Sequence, residues 1–532
     1  MKKVLIIGSG LSGLTCAVKL AEYGIKSLII SPYPSERAQS VMAAGGINAA
    51  IGKDDDVNLH IEDTYKGGCY IDDLEAIKDL CENAPSIIYW LESIGTVFTR
   101  KENKEIALRA LGGQSKNRTA FAGSATGKQI MTALINKVRE YENLGLIEYK
   151  IGRYFYSALI DDETCFGAVL YNDIDRVMEL EKADFVVIAA GGQNALFGKT
   201  TGSVLCDGYV IGKLFTQGVT LKNLEFIQYH PTTIETSQKR MLISEACRGE
   251  GGRLYYLDGD KRIYFMEDIY GPKGNLMPRD IVAKHIYDAP FQVYLDISFL
   301  GKKLIDKKLS EVKELCKRYI NLDVTRESIP VYPSVHFFMG GLAVNRKHQT
   351  NIQNLYAIGE CASIYHGANR LGGNSLLAAI RGGYAAADSI NESKTNIISP
   401  DFTNYAEIQN KELNENLESK SKFSAVYIRQ EIAKIMDYSL GINRSEEKLS
   451  KGIEDIEYFI NVCDHLEFDS DVSYYINYSL KSLLILSKAI LLSALNRKES
   501  RGSHIRIDYP NKSDEYKKPT YIKYIDGKFV LL

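Results

Sequence analysis

Residues 359–377 read Gly-Glu-Cys-Ala-Ser-Ile-Tyr-His-Gly-Ala-Asn-Arg-Leu-Gly-Gly-Asn-Ser-Leu-Leu. They crowd a carboxylate (Glu360), an imidazole (His366), a guanidinium (Arg370) and two amides (Asn369, Asn374) among glycines and small residues. Burying so many polar groups beside an apolar run is costly unless something binds them. The glycines let backbone approach a ligand closely. Four more segments carry groups of the same kind. Gln228-Tyr229-His230-Pro231-Thr232 offers His230, and residues 242–252 (Leu-Ile-Ser-Glu-Ala-Cys-Arg-Gly-Glu-Gly-Gly) offer Ser244, Glu245 and Arg248. Pro278-Arg279-Asp280 offers Arg279, and residues 333–341 (Pro-Ser-Val-His-Phe-Phe-Met-Gly-Gly) offer His336. A guanidinium fork suits carboxylate oxygens. Each residue alone has a plainer reading. A lone histidine is more often structural, Arg279 an ordinary salt bridge, and Glu245 with Arg248 a surface ion pair of little worth.

Elements that could position these groups begin at the amino terminus. Lys2-Lys3-Val4-Leu5-Ile6-Ile7 reads as a buried parallel strand, Gly8-Ser9-Gly10-Leu11-Ser12-Gly13 as a turn, and the following residues have helical apolar spacing. Strand, glycine turn and helix form the context a dinucleotide fingerprint requires. Gly8 makes the turn, Gly10 admits the pyrophosphate, and Gly13 lets helix and strand pack closely. The second strand, Ser27-Leu28-Ile29-Ile30, ends in Ser31-Pro32 and offers no acidic residue for ribose hydroxyls.

Downstream, Ala183-Asp184-Phe185-Val186-Val187-Ile188 runs into Ala190, Gly191 and Gly192, and a turn carrying Thr201, Gly202, Ser203, Asp207 and Gly208 follows. Alone this is an ordinary strand-to-helix turn. With the first motif it favours FAD over NAD. Residues 40–50, from Ser40 through Gly45 and Gly46, are small and glycine-rich and suit a loop along an isoalloxazine ring.

These segments together resemble the succinate dehydrogenase and fumarate reductase flavoprotein family. The resemblance spans residues 2–510 and extends to Gly112-Gly113-Gln114, Thr126-Gly127, Cys81-Glu82-Asn83-Ala84-Pro85 and Arg497-Lys498-Glu499-Ser500-Arg501. It implies that His230, Ser244, His336 and Arg370 hold the carboxylates of a C4 dicarboxylate, succinate or fumarate. It further implies that Arg279 delivers the proton, relayed by Glu245 and Arg248. It assigns Gly8, Gly10, Gly13, Ser31, Gln39, Ser40, Gly45, Gly46, Ala190, Gly191, Gly192, Asp207, Glu360, Asn374, Ser375 and Leu376 to FAD. Many members carry a histidine bonded covalently to the flavin; Gln39 stands there instead, so dissociable FAD is expected. L-aspartate oxidases share the scaffold but place a glutamate where Leu111 stands, and an aliphatic side chain offers a substrate ammonium nothing. A stand-alone flavin oxidase, a soluble flavin fumarate reductase and a non-catalytic flavin-binding assembly subunit are the alternatives.

The implied fold is α/β: a Rossmann-like FAD-binding domain (1–231 and 332–395) interrupted by an α+β capping domain (232–331). A helical bundle (400–495) and a short carboxy-terminal segment (496–532) follow. In residues 480–491 one helical face carries Leu480, Leu483, Leu484, Ile490 and Leu491, with Ile485 opposite. With 532 residues the chain exceeds the ~250–300 at which single cores stop growing. A net charge of −2 favours neither nucleic acid nor an anionic membrane surface. Nine cysteines without a Cys-x-x-Cys pair argue for a reduced cytoplasmic protein and against a cluster or zinc bound by this chain. Electrons would therefore pass to a separate iron–sulfur subunit. No signal peptide and no run of ~20 apolar residues are read, so membrane contact would go through anchor subunits.

Overall fold

The computed structural model describes residues 2–123, 125–237, 239–394, 400–402, 405, 424–463 and 474–532. Val4, Leu5 and Ile6 are wholly buried, and a strand apolar on both faces belongs inside a covered parallel sheet. Lys3–Ile7 is the middle of five parallel strands, ordered Leu355–Ala357, Phe185–Ile188, Lys3–Ile7, Lys26–Ser31, Ile147–Ile151. Alternation sends its side chains to two cores. Val4 and Ile6 pack with Leu11–Glu22, Thr126–Asn143 and Asn374–Glu392, while Leu5 and Ile7 pack with the opposite layer. That layer includes the antiparallel strands Arg153–Asp161, Thr164–Asn172 and Val177–Lys182, and the helix Tyr209–Thr216.

Ile227–Glu235 pairs antiparallel with Tyr332–Phe338, and the chain between them builds a separate layer. It holds four antiparallel strands, ordered Lys261–Ile263, Arg253–Asp258, Val293–Asp296, Ile329–Pro330, and a core of its own between Ile234 and Val331. Pro231, which cannot donate to a ladder, falls where the register shifts between His230 and Thr233.

Three readings change in the carboxy-terminal third. Tyr474–Asn496 is one helix of 23 residues whose Ile485 and Ser487 are as buried as its leucine stripe. It is a central helix rather than an amphipathic one. It packs on Glu446–Cys463 and on Tyr209–Thr216, where Gly212 leaves no room for a Cβ, 2.4 Å from the Ser482 carbonyl oxygen. The same helix is long and apolar enough to cross a membrane (mean hydropathy 1.5), which corrects the reading that no such run exists, yet 72% of the window is buried inside the molecule. Parts of the expected helical region, 403–404, 406–423 and 464–473, lie outside the described residues. The tail, silent in sequence, forms the hairpin Tyr521–Ile525 and Lys528–Leu531, which completes a sheet with Leu221–Lys222, Gly341–Ala343 and Ala362–Ser363.

In the charge run at 497–501, Arg497, Glu499 and Arg501 are buried against the FAD-binding layer, while Lys498 is exposed. Arg497 donates to Glu225 at 2.6 Å and to Glu499 at 2.8 Å, and Arg501 donates to both Glu499 oxygens. Removing one partner of a buried pair strands the other's charge. Arg497→Ala is therefore expected to lower unfolding stability by about 3–5 kcal/mol, measured by urea denaturation; a loss below about 1 kcal/mol would contradict this account.

Candidate active site

One cavity of about 550 Å³ runs across the carboxyl ends of the parallel strands and under the inserted layer. Its first stretch is the glycine turn. Gly8 has φ +113°, and a Cβ there would meet the Ala189 carbonyl oxygen at 2.3 Å. Gly13 packs against the Gly8 carbonyl oxygen, where a Cβ would stand at 2.1 Å. Gly10 differs: the nearest protein atoms to its Cβ position are 3.7 and 3.9 Å away, so the protein leaves free what a side chain would fill. Helices Leu11–Glu22 and Asn374–Glu392 both begin at this cavity after a glycine that supplies no side-chain cap, though the Leu11 N–H donates to the Ser40 hydroxyl at 3.3 Å and the Asn374 N–H to the Leu371 carbonyl at 3.2 Å. Their dipoles favour phosphate and electron-rich oxygen. Space at Gly10 and two helix starts fit a flavin dinucleotide.

Around this cradle lie Ser31, Gln39, Ser40, Gly45, Gly46, Ala190, Gly191, Gly192, Asp207, Glu360, Ser375 and Leu376. Gln39 opens the short turn Gln39–Met42, held where Gly127 comes within 2.0 Å (as a Cβ) of the Ser40 carbonyl oxygen. Glu360 is half-buried at the cavity and its carboxyl is pushed up to about 7, by desolvation first, against the Phe338 N–H and Arg370. Asn374 is the exception. Its amide is spent inside the protein, accepting from Asn48 at 2.7 Å and donating to Thr64 at 3.0 Å, and it does not line the cavity.

At the other end the cavity meets His230, Ser244, Glu245, Arg279, His336, His366 and Arg370. Arg279, the first residue of the helix Arg279–Asp288, donates to Glu245 Oε2 from Nε at 2.9 Å and from Nη2 at 2.6 Å. The Gly112 N–H holds the other oxygen at 2.7 Å, and Arg248 lies 3.5 Å from it. Glu245 and Arg248 are fully enclosed, so their pair is no surface contact. Arg248 stands behind Glu245 and does not itself line the cavity. Arg370 lies over the Phe337 ring, 4.3 Å from its centroid. His230 and His336 meet edge to face at 5.1 Å, and His336 Nδ1 is 2.7 Å from the Thr201 hydroxyl.

Sequence reading missed Gln228. Its carbonyl oxygen accepts from Arg279 Nη1 at 3.1 Å and from Arg370 Nη2 at 2.9 Å, so one amide spaces the two guanidinium groups. Its own N–H₂ donates to Asn369 and to the Arg370 carbonyl. The signal was available: strand periodicity places Gln228 on the face that carries His230.

Burial disfavours charge here, and the three arginines share one strong counter-ion. Burial pulls Glu245 up, but Arg279, Arg248 and the donated hydrogen bonds outweigh it and bring it down to about 2. Burial first, then the neighbouring guanidinium groups, drive His230 well below the ordinary histidine range, and for His336 the His230 ring adds to these. Both imidazoles are neutral near pH 7. Arg370 Nε is buried with no hydrogen-bond partner among the described residues. Glu245 offsets one of the three positive charges, and Glu360 near Arg370, its carboxyl pushed up by burial, offsets a second only in part.

Fold and cavity define a flavin-binding oxidoreductase. Residues 3–376 match the FAD binding domain family and 429–528 the fumarate reductase flavoprotein C-term family. The chain is 35% identical to the succinate dehydrogenase flavoprotein subunit of Bacillus subtilis (strain 168), over 98% of this chain and 94% of that one. It is 31% identical to the L-aspartate oxidase of Nostoc sp. (strain PCC 7120 / SAG 25.82 / UTEX 2576), over 96% of this chain and 92% of that one. A solved chain of E. coli quinol fumarate reductase superposes with a TM-score of 0.91 at 28% identity, covering 100% of this chain and 97% of that chain. The chain belongs to the succinate dehydrogenase and fumarate reductase flavoprotein family of FAD-dependent oxidoreductases.

Because the folded Glu245 titrates near 2 rather than at the usual 4.5, its ionisation stabilises the fold above pH 4.5, and that contribution is lost as pH falls towards 2. Glu245→Gln is expected to be less stable at neutral pH and to decline less steeply below 4.5. Denaturant midpoints across that range test this; parallel curves for the two proteins would refute it.

Proposed function

We propose that the chain interconverts succinate and fumarate and exchanges electrons with a separate iron–sulfur subunit. The observation that carries this is the charge left over at the closed end of the cavity. Arg248, Arg279 and Arg370 face Glu245, with Glu360 near Arg370 pushed up by burial and so only a partial counter-charge, and a dianion supplies the missing negative charge. L-Aspartate would bring an ammonium as well, and a buried ammonium needs an anionic partner. Glu245 is already committed to two guanidinium groups, and Leu111 packs as an apolar side chain against Gly372.

Bound FAD supplies a reversible two-electron centre that exchanges hydride. The chain's own residues do the rest. Arg370, His230, His336 and Ser244 take the carboxylates. His230 Nδ1 faces the Thr232 carbonyl at 3.0 Å and its N–H at 3.3 Å; donating to an anion from Nε2 requires Nδ1 to accept from that N–H. Arg279 stands at the positive end of its helix, which favours giving up a proton over gaining charge. Nε and Nη2 fix its plane on Glu245, Nη1 points one proton at Gln228, and the remaining N–H protons are left for the cavity. A guanidinium can act as an acid only if its proton is returned. Glu245, 2.6 Å away with Arg248 behind it, is the carboxylate that can do so. Arg279, Glu245 and Arg248 belong to the inserted layer and Gln228, His336 and Arg370 to the FAD-binding layer, so closure completes the site and excludes water.

Gln39 lacks the imidazole nitrogen that would form a flavin bond, so FAD is held non-covalently. The iron–sulfur subunit, and through it a membrane anchor on the cytoplasmic face, would carry electrons onward, as the relatives described as subunits suggest. Fumarate is expected to reoxidise the photoreduced flavin anaerobically and L-aspartate to leave the oxidised flavin unchanged; flavin reduced by L-aspartate but not by succinate would sink the reading. Arg279→Ala should lower fumarate reduction with a reduced dye by about 10²–10⁴-fold. Denaturing electrophoresis should show no fluorescent flavin band.

A further inference from the structure

The order of the parallel strands divides the cavity. From the glycine turn at Lys3–Ile7, one side leads to Phe185–Ile188 and Leu355–Ala357, whose ends carry Gly191, Gly192 and Glu360. The other leads to Lys26–Ser31 and Ile147–Ile151, whose ends carry Ser31 and Arg153-Tyr154. In a dinucleotide fold the pyrophosphate sits on the turn and the adenosine beyond the second strand. Ser31 is short and there is no acidic residue at that strand end, so the adenosine needs other partners.

Residues of the helical region stand at this end. Arg429, from the helix Ala425–Ser439, and Tyr475 and Ile476, from the helix Tyr474–Asn496, line the same cavity as Gly10 and Ser31. The Tyr475 ring lies 4.5 Å from that of Tyr154, tilted by 31°, and Tyr154 Oη is 3.1 Å from Tyr33 Oη. Asp207 ties the group together, accepting from Tyr475 Oη at 2.7 Å, from Arg429 Nη2 at 3.1 Å and from the Tyr209 N–H at 3.0 Å. Arg429 Nε is buried with no hydrogen-bond partner among the described residues. Below this group, Tyr156, Tyr171, Tyr474 and Tyr478 seal the helix onto the three antiparallel strands. Aromatic faces suit a purine, and the unspent guanidinium N–H suits an adenine nitrogen, a ribose oxygen or a phosphate.

We propose that Tyr475 and Arg429 form, with Asp207 and Tyr154, the wall of the adenosine pocket. The helical region is then part of the cofactor site. FAD bridges it to the parallel sheet, and occupancy and helix docking favour each other by mass action. A chain with no covalent flavin bond gains a second means of retention from this arrangement.

The inference rests on the FAD reading, and the experiment separates the two. Full-length protein stripped of flavin is titrated with FAD, ADP and FMN by fluorescence. Wild type should bind all three. Tyr475→Leu and Arg429→Gln should each weaken FAD and ADP by about tenfold or more and leave FMN within about twofold. ADP affinity unchanged, or FMN weakened as much as ADP, overturns the inference. Wild type that binds no FAD overturns the cofactor reading instead. If neither variant folds, amide exchange of wild type decides: ADP must slow exchange in residues 474–496, and unchanged exchange there defeats the proposal.

Discussion

The contact on which the rest depends is a carboxylate shared between two buried guanidinium groups. Moving an arginine from water into a protein interior costs several kcal/mol, and a single Glu245 cannot repay that for Arg248, Arg279 and Arg370 together. The protein recovers part of the cost by geometry. Gly112 donates its N–H to Glu245, and a side chain there would come within 2.5 Å of the same oxygen, so only glycine lets the backbone serve the carboxylate. Gln228 offers a neutral oxygen to both Arg279 and Arg370 and holds them apart without adding charge. What geometry leaves uncompensated is positive charge in the cleft, on which the proposed affinity for a dianion rests.

Much of the remaining architecture keeps the segment 366–370 from relaxing away from that charge. Asp72, itself paired with Lys222, accepts from the Gly367 N–H at 2.6 Å. Ser503, from the carboxy-terminal segment, donates to the Ala368 carbonyl from both its N–H and its hydroxyl. Gly502, with φ +56°, approaches so closely that a Cβ would lie 2.6 Å from the same carbonyl oxygen. Asn369 is held by Asp280 of the inserted layer and by Gln228. The buried Arg497–Glu225–Glu499–Arg501 cluster thus has a purpose beyond stability: it fixes the segment that backs the substrate loop.

Groups whose chemistry is local were legible in the sequence. The glycine turn declares itself because strand, turn and helix are contiguous and each glycine has its own steric reason. His230, Arg279, His336 and Arg370 were legible as a set, through resemblance, because each type is rare in a core without a partner. Gln228 was not, since a glutamine acquires meaning only when two guanidinium groups from distant segments converge on it. Asn374 misled for the converse reason. It stands among ligand-facing neighbours, yet Asn48 and Thr64, far away in sequence, use up its amide. The helix Tyr474–Asn496 was misjudged because Ser482 and Leu486 pack on Tyr209–Thr216, a contact made possible by Gly212, so it is buried beyond its leucine stripe.

Dividing the site between layers has a further consequence. Arg279 and Glu245 belong to the insert and form an enclosed pair, two N–H groups on one oxygen, with the other oxygen held from the FAD-binding layer by the Gly112 N–H. Arg370 belongs to the other layer and repels the positive charge that Arg248 and Arg279 leave beyond Glu245. With the cleft empty, electrostatics opposes closure; with a dianion between them, each layer is drawn to the anion. A monoanion cancels only part of the repulsion. Under the proposed function, selection for a doubly charged substrate acts at closure as well as at contact, because the charge that identifies the substrate is also the charge that brings the layers together.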